Sequence, residues 1–275
     1  MLDRPSPATR SSMVIRVLGG TVSQTTTSAD WSDSAVAAWV AFQVHSGVEF
    51  IFIVNGNDSP ESQRAFYDRW VAAGAHFSFI EMMNEYYLRK YLDGDTTEPD
   101  VTMAVSPDDY VTAIVPAYGA VFADTGLPIF IILAPAGETP ALQMQYEQWN
   151  ATVIAALAAH SGAPIGVTLH LYSRDSSFDY DQIDRIRARL PAGTPIAVTE
   201  SGILDPTVMA SDGYPDAAYD HLLAIYTHLQ PGDYLLDQVL YKNGSGWQPA
   251  DLHADFSGVT PKGERVLDFF ETNVR

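Results

Sequence analysis

Short apolar runs alternate along the chain with longer stretches in which apolar residues recur at helical spacing. The runs are MVIRVLG (13–19), EFIFIVN (49–55), HFSFIEM (76–82), LPIFIILA (127–134), PIGVTLHLY (164–172), PIAVTE (195–200) and DYLLDQVLY (233–241). Several are nearly continuous in apolar residues, which predicts parallel strands covered on both faces. The segments between them carry helix punctuation. Ser59-Pro60-Glu61, Ser106-Pro107-Asp108 and Thr139-Pro140 each set a capping hydroxyl before a proline at the first helical position. Gly74 and Gly162 stand where helices should end. Phe66, Trp70 and Val71 recur at helical spacing, and the two aromatics read as core.

Seven such βα repeats run without a linker or composition shift through 275 residues. They predict one α/β domain over 1–275, a closed or nearly closed (β/α)8 TIM-type barrel. A doubly wound sheet would carry a glycine-rich turn after its first strand, and LGGT (18–21) is too weak for one. Segments after the strands are long and those before them short, as where strand C-termini build a site.

Composition narrows the chemistry. Cysteine is absent, which removes disulfides, thiolate metal sites and thiol nucleophiles. The 34 acidic residues against 15 basic ones leave a net charge of −19, a poor field for nucleic acid or an anionic membrane surface and a mild preference for neutral substrates. MLDRPSPATRSS lacks the apolar core of a signal peptide, and no apolar run approaches the roughly 18 residues of a membrane span. The chain reads as soluble, in an extracellular or virion-associated setting if a leader was removed. No GxSxG elbow, HExxH pair or phosphate loop occurs, and the acidic run DGDTTEPD (93–100) lacks the spacing of a calcium loop. No metal or other cofactor is expected, and oligomeric state is not legible. Sequons begin at Asn57, Asn150 and Asn243.

Two carboxylates stand out. Glu85 closes the run in FIEMMNEYY and Glu200 closes the run in PIAVTESG. On barrel strands three apart, both would open onto the same face. Paired carboxylic acids at one cavity are what glycoside hydrolysis needs, one to protonate the departing oxygen and one to attack the sugar or activate water. The competing reading is a pair of ordinary acids on a solvated rim. Tyr86 and Tyr87 either stack on a sugar or pack under the following loop.

EMMNEY resembles the fourth-strand motif of the large retaining clan A of glycoside hydrolases, where an Asn-Glu pair ends the strand, and TESG resembles its seventh-strand motif. The resemblance extends from about residue 13 to the C-terminus. It makes MVIRVLG the second strand. The roughly twelve residues before that run are too few for a first strand and its helix, so the resemblance implies a barrel whose first βα unit is lacking or degenerate: incomplete, opened by a makeshift strand, or part of a longer protein. It implies Glu85 as acid/base, Asn84 as a donor to the sugar 2-hydroxyl and Glu200 as nucleophile. In LHLYSR, His170 and Tyr172 match the sixth-strand pattern, whose aromatic hydroxyl bonds the nucleophile. Arg16 matches the second-strand arginine that contacts the same carboxylate, against a structural ion pair as the other reading. Glu81 matches a position often acidic in the clan and is expected to be structural. The chain departs from the pattern in placing Tyr86 after Glu85 where proline is common, and Asn55 where the third strand offers histidine. Asn55 is kept as a substrate contact. Trp247, after the last strand, is the candidate platform under a sugar, with Trp31 second. Trp39, Trp70 and Trp149 are assigned to packing. The substrate implied is an oligo- or polysaccharide. The alternative is a non-catalytic carbohydrate-binding barrel, a module of a larger cell-surface or phage-tail assembly.

Overall fold

The computed structural model describes residues 14–17, 24, 28–88, 105–159, 165–173, 178–236 and 260–273. Seven parallel strands hydrogen-bond in chain order: β1 (Val14–Val17), β2 (Glu49–Ile53), β3 (Phe77–Met82), β4 (Ile129–Ile132), β5 (Ile165–Ser173), β6 (Ile196–Ile203) and β7 (Tyr234–Leu235). Each coincides with one of the seven apolar runs. The described residues form two compact units, the first drawn from 12–168 with 189–194 and the second from 169–188 and 195–275. No helix among the described residues is long and apolar enough to cross a membrane.

In the first unit the registers Arg16↔Ile51, Ile51↔Phe79, Ile53↔Glu81, Glu81↔Phe130 and Phe130↔Gly166 put these residues on one face of the sheet. On that face Phe79 and Phe130 stack at 4.1 Å. A Cβ at Gly166 would come within 2.3 Å of the Phe130 ring, so only glycine lets the strands close over it. The other face is aromatic. Phe50 and Phe52 meet Phe66, Tyr67 and Trp70 of α2 (Pro60–Ala72) at centroid separations of 5.4–6.1 Å. Complete burial of each such ring contributes about 1.5–3 kcal/mol, which makes this layer the main anchor between helix and sheet.

Helices start where the capping pattern predicts. Ser59 accepts from Ser62 N at the head of α2, and Ser32 from Ala35 N at the head of α1 (Asp33–Ser46). Thr139 accepts from Leu142 N where α4 (Pro140–Ala159) begins. Ser106 accepts from Asp109 N at a helical segment that widens into a π turn over Tyr110–Ile114 before α3 (Val115–Phe122). Pro116 accounts for the widening: it has no N–H for Thr112, and its ring would crowd that carbonyl in a normal turn. Gly74, at φ 101, follows the end of α2, whereas Gly162 lies outside the described residues. Phe66 and Trp70 are buried as expected, and Val71 of the same helix is 44% exposed.

The second unit contains the C-terminal part of β5, α5 (Gln182–Arg187), β6, α6 (Tyr214–Thr227), β7 and α7 (Pro261–Asn273). Leu222, Val266 and Phe269 form its core between α6 and α7, with Tyr219, Tyr226 and Leu235 packed against them. Asp233 fastens the entry to β6: it accepts from Ile196 N at 2.8 Å and from Arg187 at 2.5 Å. β6 runs to Ile203, three residues past the point where the apolar run predicts its end.

Candidate active site

In the first unit the site is built at the end of β3. Pairing with β4 stops at Met82↔Ile131, and the backbone then enters the left-handed region at Met83 (φ 67) and Glu85 (φ 46). Side chains bearing a Cβ sit there at a cost on the order of 1–3 kcal/mol each, so the surroundings must impose the turn. Met83 N bonds Glu81 O at 3.1 Å and Leu88 N bonds Glu85 O at 2.7 Å. Tyr86 and Tyr87 are buried, which decides for packing over sugar stacking. The Tyr87 hydroxyl donates to Glu85 Oε1 at 3.2 Å, and Glu85 itself is half-buried.

Asn84, between the two left-handed residues, is 1% exposed. Its Oδ1 accepts from Arg16 Nη2 at 3.2 Å, while its buried Nδ2 has no hydrogen-bond partner among the described residues. Arg16 also forks onto Glu81, Nε at 2.8 Å and Nη2 at 3.0 Å, with the acid's side chain fully buried. Two planar groups meeting in this way hold each other's orientation as well as their charge. Arg16 thereby links Glu81, inside β3, to the amide beyond the strand's end.

The turn after β2 is cross-braced by amides. Asn55 is buried; its N–H donates to Gln63 Oε1 at 2.9 Å and its Oδ1 accepts from Asn57 N at 2.9 Å. Gln24 donates to Val54 O at 3.0 Å and accepts from Gly56 N at 3.1 Å. The Tyr86 hydroxyl donates to Asn57 Oδ1, and a Cβ at Gly56 would lie 2.3 Å from that hydroxyl. Asn57 Nδ2 donates to Gln24 O, and Asn150 uses both ends of its amide on the Ala134 backbone. The sequon asparagines Asn57 and Asn150 are thus committed to the fold, and the third, Asn243, lies outside the described residues. Trp31, the second candidate platform, packs on Trp70 at 5.5 Å.

In the second unit Glu200 sits inside β6. His170 and Tyr172, two apart on β5, both reach it. The Tyr172 hydroxyl donates to Glu200 Oε2 at 2.6 Å, and His170 Nδ1 lies 3.6 Å from the same oxygen. Behind β5, the buried His221 places Nε2 3.2 Å from Leu171 O and Nδ1 2.7 Å from the Tyr180 hydroxyl. A carbonyl only accepts, so Nε2 carries the proton and Nδ1 accepts from Tyr180. Burial pushes the Tyr180 phenol up to about 12, keeping it a donor. Asp181, Asp184 and His228 offer a cation three ligand atoms within 4.8 Å of one another, but both carboxylates are exposed. Trp247 lies outside the described residues.

The arrangement brings His170, Tyr172 and Glu200 together in the second unit, and Arg16, Glu81 and Asn84 next to Glu85 in the first. The motifs left out His221 and Tyr110, whose hydroxyl donates to Met82 O at 2.9 Å. Their side chains reach the site elements through tertiary packing and no local pattern marks them.

No protein-family model and no curated protein matches the sequence. Solved structures with the same fold exist at low identity. An exo-β-1,3-glucanase of family GH128 subgroup VI from Aureobasidium namibiae is 12% identical, with 94% of this chain and 95% of that one covered at a TM-score of 0.55. The catalytic domain of a mannanase from Streptomyces sp. SirexAA-E is 14% identical, covering 98% and 80% at 0.53. A family 51 α-L-arabinofuranosidase from Bifidobacterium longum is 15% identical at a TM-score of 0.48; the chain spans about half of its length, 51%. The fold of this chain is thus one that glycoside hydrolases use.

Proposed function

We propose that the protein is a glycoside hydrolase that cleaves O-glycosidic bonds of an oligo- or polysaccharide by double displacement with retention. The observation that carries this reading is the 2.6 Å hydrogen bond from Tyr172 to Glu200, which fixes the orientation of a strand-borne carboxylate, as attack on a sugar carbon requires. Glu85 is the acid/base. In the first step a Glu200 oxygen attacks the anomeric carbon while Glu85 gives its proton to the departing oxygen, leaving a glycosyl ester on Glu200. In the second, Glu85 takes a proton from water as that water attacks the same carbon, and Glu200 leaves as the carboxylate.

Asn84 is the donor for the sugar 2-hydroxyl. Its Oδ1 is held by Arg16 and its buried Nδ2 is unpartnered among the described residues, so a hydroxyl there would satisfy a donor that folding left unpaired. The net charge of −19 favours neutral sugars over acidic ones.

The test is Glu200→Ala assayed on a dinitrophenyl glycoside with and without azide. The expected result is loss of turnover, rescued by azide as the glycosyl azide of inverted configuration. Turnover by Glu200→Ala without azide refutes the nucleophile. An unmutated protein that binds glycans across a broad panel and hydrolyses none is instead a carbohydrate-binding module.

A further inference from the structure

At the end of β4, three side chains take up the backbone groups that would otherwise continue the ladder to β3. Hydrogen bonds in a parallel pair recur every two residues along each strand. Ile80 N bonds Pro128 O at 3.0 Å, so on β4 the even-numbered residues face β3. The rung after Ile80 and Glu81 joins Ile132 N to Met82 O, and the one after it would join Asn84 N to Ile132 O. The first of these closes the last paired position, Met82↔Ile131, and the Tyr110 hydroxyl shares its two groups, accepting from Ile132 N at 3.4 Å and donating to Met82 O at 2.9 Å. At the second, Ile132 O receives the indole N–H of Trp149 at 3.0 Å. One step further, Asn150 bonds both backbone groups of Ala134, accepting from its N at 2.8 Å and donating to its O at 2.9 Å.

All of these groups are buried, and the Tyr110 ring lies against Trp149 at 4.8 Å. A buried backbone group without a partner carries a penalty comparable to a lost hydrogen bond. β4 can therefore end its pairing with β3 inside the core only because these side chains satisfy it. The left-handed residues Met83 and Glu85 begin at the point where the ladder stops.

We infer that Tyr110, Trp149 and Asn150 are positioning residues: by occupying the last rungs of β4 they keep the chain from pairing beyond Met82 and hold Asn84 and Glu85 in their strained turn. Burial raises the Tyr110 phenol well above its ordinary value of 10, so the hydroxyl stays a donor throughout the working range. The catalytic part of this inference rests on Glu85 being the acid/base.

The experiment uses Tyr110→Phe, which keeps the ring and deletes both hydrogen bonds of the hydroxyl, and Trp149→Phe, which keeps a ring and deletes the indole N–H bond. Both are assayed on a phenyl and on a dinitrophenyl glycoside of the same sugar. A general acid matters when the leaving group is poor and little when it is good. Misplacement of Glu85 should therefore lower kcat by about tenfold or more on the phenyl glycoside and by less than about threefold on the dinitrophenyl one, with KM nearly unchanged. Equal losses on the two substrates, or none on either, overturn the inference. Glu85→Gln is the control: if it does not discriminate between leaving groups, the acid/base reading fails rather than the positioning one. A crystal structure of Tyr110→Phe then decides. Relaxation of Met83 and Glu85 to extended φ supports the positioning role, and retention of both positive φ values overturns it.

Discussion

Glu200 and Glu85 are carried on backbones of contrasting kinds. Glu200 lies within an eight-residue strand, Ile196–Ile203, and is held by a tyrosine hydroxyl at 2.6 Å. Glu85 lies three residues past the end of β3, itself at φ 46, with a 3.2 Å contact from Tyr87. A nucleophile gains from immobility, because its charge and angle of attack are the same each time it acts. An acid/base must give up a proton and recover it, and a longer, weaker contact leaves its oxygen able to exchange partners. In the proposed mechanism, regular strand serves the first role and strained turn the second.

The widest break in that comparison should come from removing each acid in turn. Glu200→Ala is expected to lose activity on the order of 10⁴-fold or more on every substrate, as nucleophile deletions do. Glu85→Ala should lose about 10²–10⁴-fold on poor leaving groups and far less on dinitrophenyl glycosides. Azide should rescue both variants with opposite stereochemistry, inverted for Glu200→Ala and retained for Glu85→Ala, read from the anomeric proton coupling. Identical azide products from the two variants would remove the distinction between the acids.

A smaller effect, on stability, is expected at Arg16→Met. Arg16 and Glu81 are paired with side-chain exposures of 7% and 0%, so the variant strands a buried carboxylate at a cost of about 3–5 kcal/mol. The double variant Arg16→Met/Glu81→Leu should recover much of that loss in a urea titration. Its activity should nonetheless stay low, because Asn84 Oδ1 also depends on Arg16. Full activity in the double variant would show that the pair serves stability alone.

Arg16 also shows what was legible beforehand and what was not. Its place in an apolar run marked it as a buried charge needing a partner, and Glu81, inside another run, was marked in the same way. Strand registers that pair Arg16 with Ile51 and Ile53 with Glu81 are set by packing across three strands, which period and composition do not encode. The seven strands were legible because apolar run length is a local signal, as were the caps at Ser59, Ser106 and Thr139. The left-handed pair at Met83 and Glu85 was hidden: methionine and glutamate carry no turn signature, and the forces that impose the turn come from Tyr110 and Trp149, 25 or more residues away in the sequence.

Asn84→Ala sharpens the turn side of the comparison at a lower magnitude. The buried Nδ2 finds no partner in the described protein, so deleting it removes an unsatisfied donor, and the stability change should be under about 1 kcal/mol. On a glycoside with its 2-hydroxyl, kcat/KM should fall by about 100-fold, equivalent to a hydrogen bond of roughly 2.7 kcal/mol realised in the transition state. On the matching 2-deoxy glycoside the variant and the parent should differ little. A 100-fold loss on both substrates would place the amide's role in holding the turn instead of the sugar.

The smallest effect, in alkaline solution, asks whether the two units respond alike. Tyr118 in the first unit donates to Gly56 O at 3.3 Å and also bonds Asp58 O, and Tyr180 in the second bonds His221. Burial, helped by nearby carboxylates, pushes each phenol from 10.0 up to about 12. The folded protein therefore holds these protons more tightly than the unfolded chain does. Their contribution to stability is complete below about pH 10 and is lost as pH rises from about 10 through about 12. Urea midpoints should be flat across neutral pH and decline over that window. Tyr118→Phe should lower the midpoint at pH 8 by the equivalent of about 0.5–1.5 kcal/mol for its lost hydrogen bond and flatten the alkaline decline, and Tyr180→Phe should do the same. If only one variant flattens it, the alkaline weakness belongs to that unit; a parent midpoint unchanged between pH 10 and 12 would mean that neither phenol is held as tightly as its burial requires.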